Sequence, residues 1–143
     1  MIKINYVTSN KFKREEIELI ENFCPLSDGT PIKGNFNFEL HELNIPERLE
    51  VDLEKMVTHE VKKAYSILKV PCIVEHAGLI FENHVANNYP GGLTKPMWNT
   101  LKDNFISETN SSNMKVFARA FIGYCDGKNV YTFKGATKGT ISD

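Results

Sequence analysis

At 143 residues with 41% hydrophobic content, the chain fits one globular domain spanning residues 1–143, and no compositional bias points to disorder or to a fibre. The 17 basic and 18 acidic side chains leave a formal net charge of -1, which excludes a global field that would gather nucleic acid or an anionic membrane. Any polyanion site therefore has to be local. Cys24, Cys72 and Cys125 form no CxxC pair and have no histidine at metal-ligand spacing, so they read as reduced core thiols. The opening segment Met1 to Val7 lacks the apolar run of a signal peptide, and no stretch approaches membrane-spanning length, so a soluble cytoplasmic protein is expected.

Along the chain, Ile2, Ile4, Tyr6 and Val7 predict a short buried strand, with Thr8-Ser9-Asn10 as cap candidates for a helix running to about Phe23. Phe36, Phe38 and Leu40 alternate with Asn37 and Glu39, which predicts a second strand to about Leu43. Beyond Pro46, Leu53, Val57, Val61, Ala64 and Leu68 recur every three to four residues, marking an amphipathic helix whose polar face is assigned Glu54, His59, Glu60 and Lys62. Pro71 to Val74 predicts a short central strand that ends at Glu75-His76 and a tight turn at Gly78, the end at which open α/β sheets bind ligands. Asn83 to Gly92 reads as a polar loop, and Pro96-Met97-Trp98 opens a third helix to about Glu108. Asn110 to Asn113 reads as a second linker. Val116 to Ile122 and Val130 to Phe133 then form a hairpin about Asp126-Gly127. Met97 and Trp98 read as packing residues, with base stacking as the alternative, and alternation does not say whether Arg119 faces a cleft or solvent.

Two constellations could carry chemistry. At Thr8-Ser9-Asn10-Lys11-Phe12-Lys13 a strand hands over to a helix, gathering unpaired backbone N–H groups, amide and hydroxyl side chains and two ammonium groups. That is an anion cradle, although a plain helix cap with exposed lysines has the same composition. The glycines of a Walker loop are absent. Glu47, after Pro46, and Glu75 could share a hard cation such as Mg2+, which takes oxygen ligands and completes its shell with water and phosphate. Taken alone, Glu47 is equally a solvated loop acid and His76 a structural histidine.

In this order the chain resembles the inosine triphosphate pyrophosphatase family, which converts non-standard purine nucleoside triphosphates to monophosphate and pyrophosphate. Thr8-Ser9-Asn10-Lys11-Phe12-Lys13 is similar to the family's Thr-Gly-Asn-x-x-Lys phosphate loop, with Ser9 for glycine. Ile45-Pro46-Glu47 is similar to the segment bearing a metal-binding glutamate, and Val74 to Leu79 with Tyr89-Pro90-Gly91-Gly92 to the acidic Ser-Gly-Leu strand and its Pro-Gly turn. Phe133 to Ile141 is similar to a later hairpin strand. The resemblance implies a mixed twisted β-sheet with flanking helices. It also implies a purine nucleoside triphosphate as ligand, Mg2+ as cofactor, and substrate contacts from Thr8, Ser9, Asn10, Lys11, Lys13, Gly78 and Lys95, with Glu47 and Glu75 on the metal.

Three departures qualify it. The catalytic acid corner ends in aspartate in the family and in His76 here, and imidazole is a poor ligand for Mg2+. The preceding helix presents lysine to the phosphates in the family and Glu60 here, while Lys62 and Lys63 are set apart by helical rotation. The family continues with base-gripping segments where this sequence reaches Asp143, so a C-terminally truncated fold with an open strand edge is expected, inviting a homodimer or a covering partner protein.

Three readings follow. One is a sensor or regulatory subunit that binds ITP or dITP without cleaving it. Family members occur in bacterial anti-phage systems where a deoxyinosine nucleotide activates an NAD-consuming effector, and the resemblance leaves that role open to this chain. The second is a working Mg-dependent pyrophosphatase with His76 as general base. The third is a ligand-free assembly domain.

Overall fold

The computed structural model describes residues 1–10, 12–46, 48–105 and 115–140. Strand β1 (Ile2–Thr8) leads into helix α1 (Lys13–Phe23), followed by β2 (Phe36–Glu42), α2 (Leu53–Leu68) and β3 (Cys72–Phe81). A 3-10 segment (Glu82–Asn87), the two-residue β4 (Pro90–Gly91) and α3 (Thr94–Leu101) come next, and the hairpin of β5 (Lys115–Cys125) and β6 (Val130–Thr140) ends the described chain. The strands form one mixed sheet in the order β2-β1-β3-β5-β6, with β4 on β3. β1 runs parallel to β2 and β3, whereas β5 is antiparallel to both β3 and β6. β6 is a terminal strand of that order.

α2 forms because its apolar residues repeat at helical spacing and both of its ends are marked. Asp52 accepts hydrogen bonds from the Glu54 and Lys55 N–H groups at 2.9 and 3.2 Å, and Lys69 ends the helix in the left-handed region at φ 58°. Its inner face packs Val57, Val61 and Ala64 against Val7, Cys72, Val74 and Cys125, and all seven are buried. Each valine so buried contributes roughly 1.5–3 kcal/mol. On the opposite sheet face, a smaller cluster of Phe81 and Phe105 takes in Leu79, Met97, Leu101 and Val116.

Several expectations need correcting. The central strand does not stop at Val74: β3 continues through Glu75, His76 and Gly78 to Phe81, because its whole length pairs with β5 from Cys72↔Cys125 to Phe81↔Val116. Gly78 is consequently a mid-strand residue and not a turn. Glycine is needed there because any Cβ would collide with the Gly91 carbonyl oxygen. The polar loop after β3 contains a 3-10 segment and β4, and the third helix begins at Thr94, two residues before Pro96. Cys72 and Cys125 are buried free thiols, but Cys24 is an exposed one and no part of the core. Glu108, Asn110, Asn113, Ile141 and Asp143 lie outside the described residues.

Candidate functional site

A strand has two edges, and β5 occupies one edge of β3 along its entire length. On the other edge β1 reaches only Cys72 and Ile73, and β4 only Leu79 and Ile80. Between those contacts the edge from Val74 to Gly78 is open, and a crevice of about 180 Å³ forms there. Complete small-molecule sites are about 300–1,000 Å³, so this crevice is smaller than a complete site. Thr8, Ser9, Asn10 and Lys13 line it from the β1–α1 turn, Met56 and Glu60 from α2, Glu75 and His76 from β3, and Lys95 and Pro96 from α3.

The period of two along β3 sends neighbouring residues to opposite faces. His76 shares the α2 face with Val74, and Glu75 points to the α1 face. The open edge lets one crevice reach both. On the α1 side, Lys13 Nζ donates to Glu16 Oε2 at 2.8 Å and to Glu75 Oε1 at 3.3 Å. Burial works against the Lys13 charge, but the Glu16 hydrogen bond and the Glu75 carboxylate outweigh it and raise its pKa above the ordinary lysine value. The ammonium is therefore a permanent cation at neutral pH. Beneath it, the Tyr6 phenol is pushed up to about 12, first by burial and then by the Glu75 charge.

On the α2 side, Glu60 and His76 Nε2 are in direct contact, with side chains only 14% and 15% exposed. This corrects the assignment of Glu60 to the polar helix face. Met56, Glu60 and Ala64 are spaced by four residues, so Glu60 follows the buried row towards the sheet. Lys62 and Lys63 are exposed, Lys63 being the nearer of the two to the Glu60 face.

The cradle differs from a set of open donors. Thr8 Oγ1 accepts the Asn10 N–H at 3.0 Å and Asn10 Oδ1 accepts the Phe12 N–H at 2.9 Å, so side chains of the turn already satisfy two of its backbone donors. These bonds shape the turn, and the side chains of Ser9 and Lys13 line the crevice beside it. Of the candidate residues, Thr8, Ser9, Asn10, Lys13, Glu60, Glu75, His76 and Lys95 are brought together. Gly78 lies beside the crevice, in an adjoining apolar shelf with Ala77, Ala118, Ala120 and Gly135. Lys11 and Glu47 lie outside the described residues. Trp98 is half exposed and packs edge-on against Phe105 at 5.7 Å, while Arg119 donates to Asn88 Oδ1 at 2.9 Å away from the crevice.

Sequence reasoning passed over Thr94, whose Oγ1 accepts the Leu79 N–H at 2.9 Å and donates to the Gly91 carbonyl at 2.7 Å. The signal available was a hydroxyl residue two positions after the Pro-Gly-Gly turn, at the start of a helix.

The donor set was tested against Mg2+, which wants oxygen ligands in near-octahedral array. Among the described residues, no group of three or more His, Cys, Asp or Glu side chains could hold a metal ion. Of the two crevice carboxylates, Glu75 faces an ammonium and Glu60 an imidazole. Among the described residues these two carboxylates do not by themselves make a protein-held magnesium site, and Glu47, the other expected ligand, lies outside them.

Residues 4–143 match the Ham1 family. The chain is 32% identical over 147 aligned residues to the dITP/XTP pyrophosphatase of Saccharolobus solfataricus, an alignment covering 99% of this chain and 69% of that protein. Among solved structures, a HAM1 protein from Coxiella burnetii superposes with a TM-score of 0.66 at 13% identity, over 98% of this chain and 73% of that one. The nucleoside-triphosphatase / dITP/XTP pyrophosphatase from Mycobacterium abscessus gives 0.64 at 13% identity, over 97% and 74%. These two likenesses establish the fold, a mixed sheet with flanking helices. With a match over nearly the whole chain and a 32% identical relative, the chain belongs to the Ham1 family, the inosine triphosphate pyrophosphatase family that its four sequence blocks resemble.

Proposed function

We propose that this chain, as one domain, binds a purine nucleoside triphosphate of the ITP/dITP class in the crevice and cleaves it poorly or not at all, acting as a sensor or regulatory subunit. The observation that carries the reading is the Glu60–His76 contact. The residues at the two replaced catalytic positions hold each other, which leaves an acid where the family has a phosphate-facing lysine and an imidazole where it has an aspartate. The phosphate end keeps its cations, Lys13 and Lys95, in the same crevice as Thr8, Ser9 and Asn10. The shelf of Ala77, Ala118, Ala120 and Gly135 offers a base an apolar surface next door. The terminal strand β6 provides an edge for a second copy or a partner protein, the arrangement a regulatory subunit of an anti-phage complex would use. Among the described residues no helix is long and apolar enough to cross a membrane.

A second reading has one specific observation in its favour. A carboxylate bonded to an imidazole is also how a general base is oriented, so Glu60 and His76 could activate water in a working pyrophosphatase. Calorimetry with ITP, dITP, ATP and dATP, combined with pyrophosphate release on the same sample, separates the two. The sensor reading expects binding that is weakened at least about tenfold by Lys13→Ala, the scale of one lost charge-assisted contact, with negligible release. It also expects binding to persist when magnesium is chelated. Rapid release abolished by His76→Ala would establish the enzyme instead, and no binding at all would leave an assembly domain.

A further inference from the structure

We propose that Thr94 is the positioning residue that sets Lys95 against the phosphates, an inference that rests on the nucleotide-binding reading above. Lys95 lines the crevice from the first turn of α3, and on the β3 side few contacts hold that turn. β4 is two residues long and meets β3 only at Leu79↔Gly91 and Ile80↔Pro90. Leu93, at the helix start, makes no side-chain cap bond. The Thr94 hydroxyl bridges both strands at this point, accepting from the Leu79 N–H at 2.9 Å and donating to the Gly91 carbonyl at 2.7 Å. From the other side, the Gly92 N–H donates to the Val51 carbonyl at 2.9 Å, and a Cβ on Gly91 or Gly92 would collide with the backbone before α2.

The turn is thus pinned between β3 and the α2 approach, and Thr94 supplies the pin on the β3 side. Thr94 and Lys95 are successive residues on one rigid helical turn, so the direction in which Lys95 leaves the helix is set by how Thr94 fixes that turn against β3. Valine has nearly the shape of threonine but carries no hydroxyl. It would leave the Leu79 N–H and the Gly91 carbonyl without this partner and free the turn to rotate. Serine would keep the bridge.

The test is a double-mutant cycle read by calorimetry with dITP, with thermal unfolding followed on each variant. Thr94→Val is expected to weaken binding about tenfold, Thr94→Ser to stay within about twofold of the parent, and Thr94→Val to add less than about twofold once Lys95→Ala is present. Should Thr94→Val not fold, Thr94→Ala is placed in the same cycle. Wild-type affinity in Thr94→Val, or a loss that persists in full on the Lys95→Ala background, overturns the proposal. If the unmodified chain binds no nucleotide, this proposal and the nucleotide-binding reading fall together. If binding depends on Lys13 but not on Thr94, this one alone falls.

Discussion

The two ends of the crevice are each built around a carboxylate and a nitrogen-bearing side chain, yet they are held differently. At the β1–α1 end, Lys13 divides its bonds between Glu75 and Glu16, and the Glu16 side chain is 62% exposed. At the α2 end, Glu60 and His76 are enclosed between helix and sheet and touch directly. Lys13 shares its bonds with the exposed Glu16, and a partly solvated ion pair gives up a partner to a ligand more cheaply than an enclosed one. The enclosed pair is costly to separate, because Glu60 would be left as a poorly solvated carboxylate. One end is thus suited to exchanging its contacts for phosphate, and the other to keeping them.

The comparison breaks most dramatically if the enclosed pair is reversed. Glu60→Lys combined with His76→Asp places a cation on the helix and an acid on the strand, and is expected to raise pyrophosphate release by at least about a hundredfold, the lower range of acid–base contributions. His76→Asp alone sets two carboxylates in contact and Glu60→Lys alone sets an ammonium against the imidazole, and each is expected to leave release near its starting level. Release measured for all four forms decides this, and an equal gain from His76→Asp alone would show that Glu60 plays no part.

Next in size is the cost of separation. His76→Ala is expected to lower folding stability by about 2 kcal/mol in denaturant unfolding, whereas Glu60→Gln with His76→Gln together costs less than the two single changes summed. Strict additivity would mean that the contact is energetically idle.

Smaller again is the alkaline limb. The Tyr6 phenol ionises near 10 when unfolded and near 12 when folded, so its contribution is intact below pH 10 and is lost as pH rises towards 12. At about pH 11 the loss is roughly 1 kcal/mol, and Tyr6→Phe is expected to remove that part of the pH dependence of stability. Least of all, Lys13→Ala is expected to change stability by no more than about 0.5 kcal/mol while weakening nucleotide binding, since its contacts are partly solvated. A stability loss matching that of His76→Ala would erase the distinction between the two ends.

Much of this architecture is legible in the residue pattern. The alternation of Phe36, Phe38 and Leu40 and the helical spacing of Leu53, Val57, Val61 and Ala64 produce β2 and α2 where expected. The hairpin of β5 and β6 forms about Asp126 and Gly127, the latter at φ 99°. The reading failed where a pairing partner outweighed local signals. Gly78 resembles a turn residue until β5 is laid along β3, and Glu60 resembles a surface acid until α2 is seated on the sheet. Thr94 has no local signature as a bridge, because both of its partners are backbone groups brought in by β3 and β4.

The order of elements, the family blocks and the local charges at Thr8 to Lys13 are properties of short windows, since helix and strand periods repeat within a few residues. Which side chains meet is not such a property. Glu60 and His76 are joined because a 3.6-residue period and a two-residue period turn both towards one interface. The crevice opens because β1 parts from β3 after Tyr6↔Ile73 while β3 runs on beside β5, and that arises from long-range pairing that no local stretch of the chain encodes.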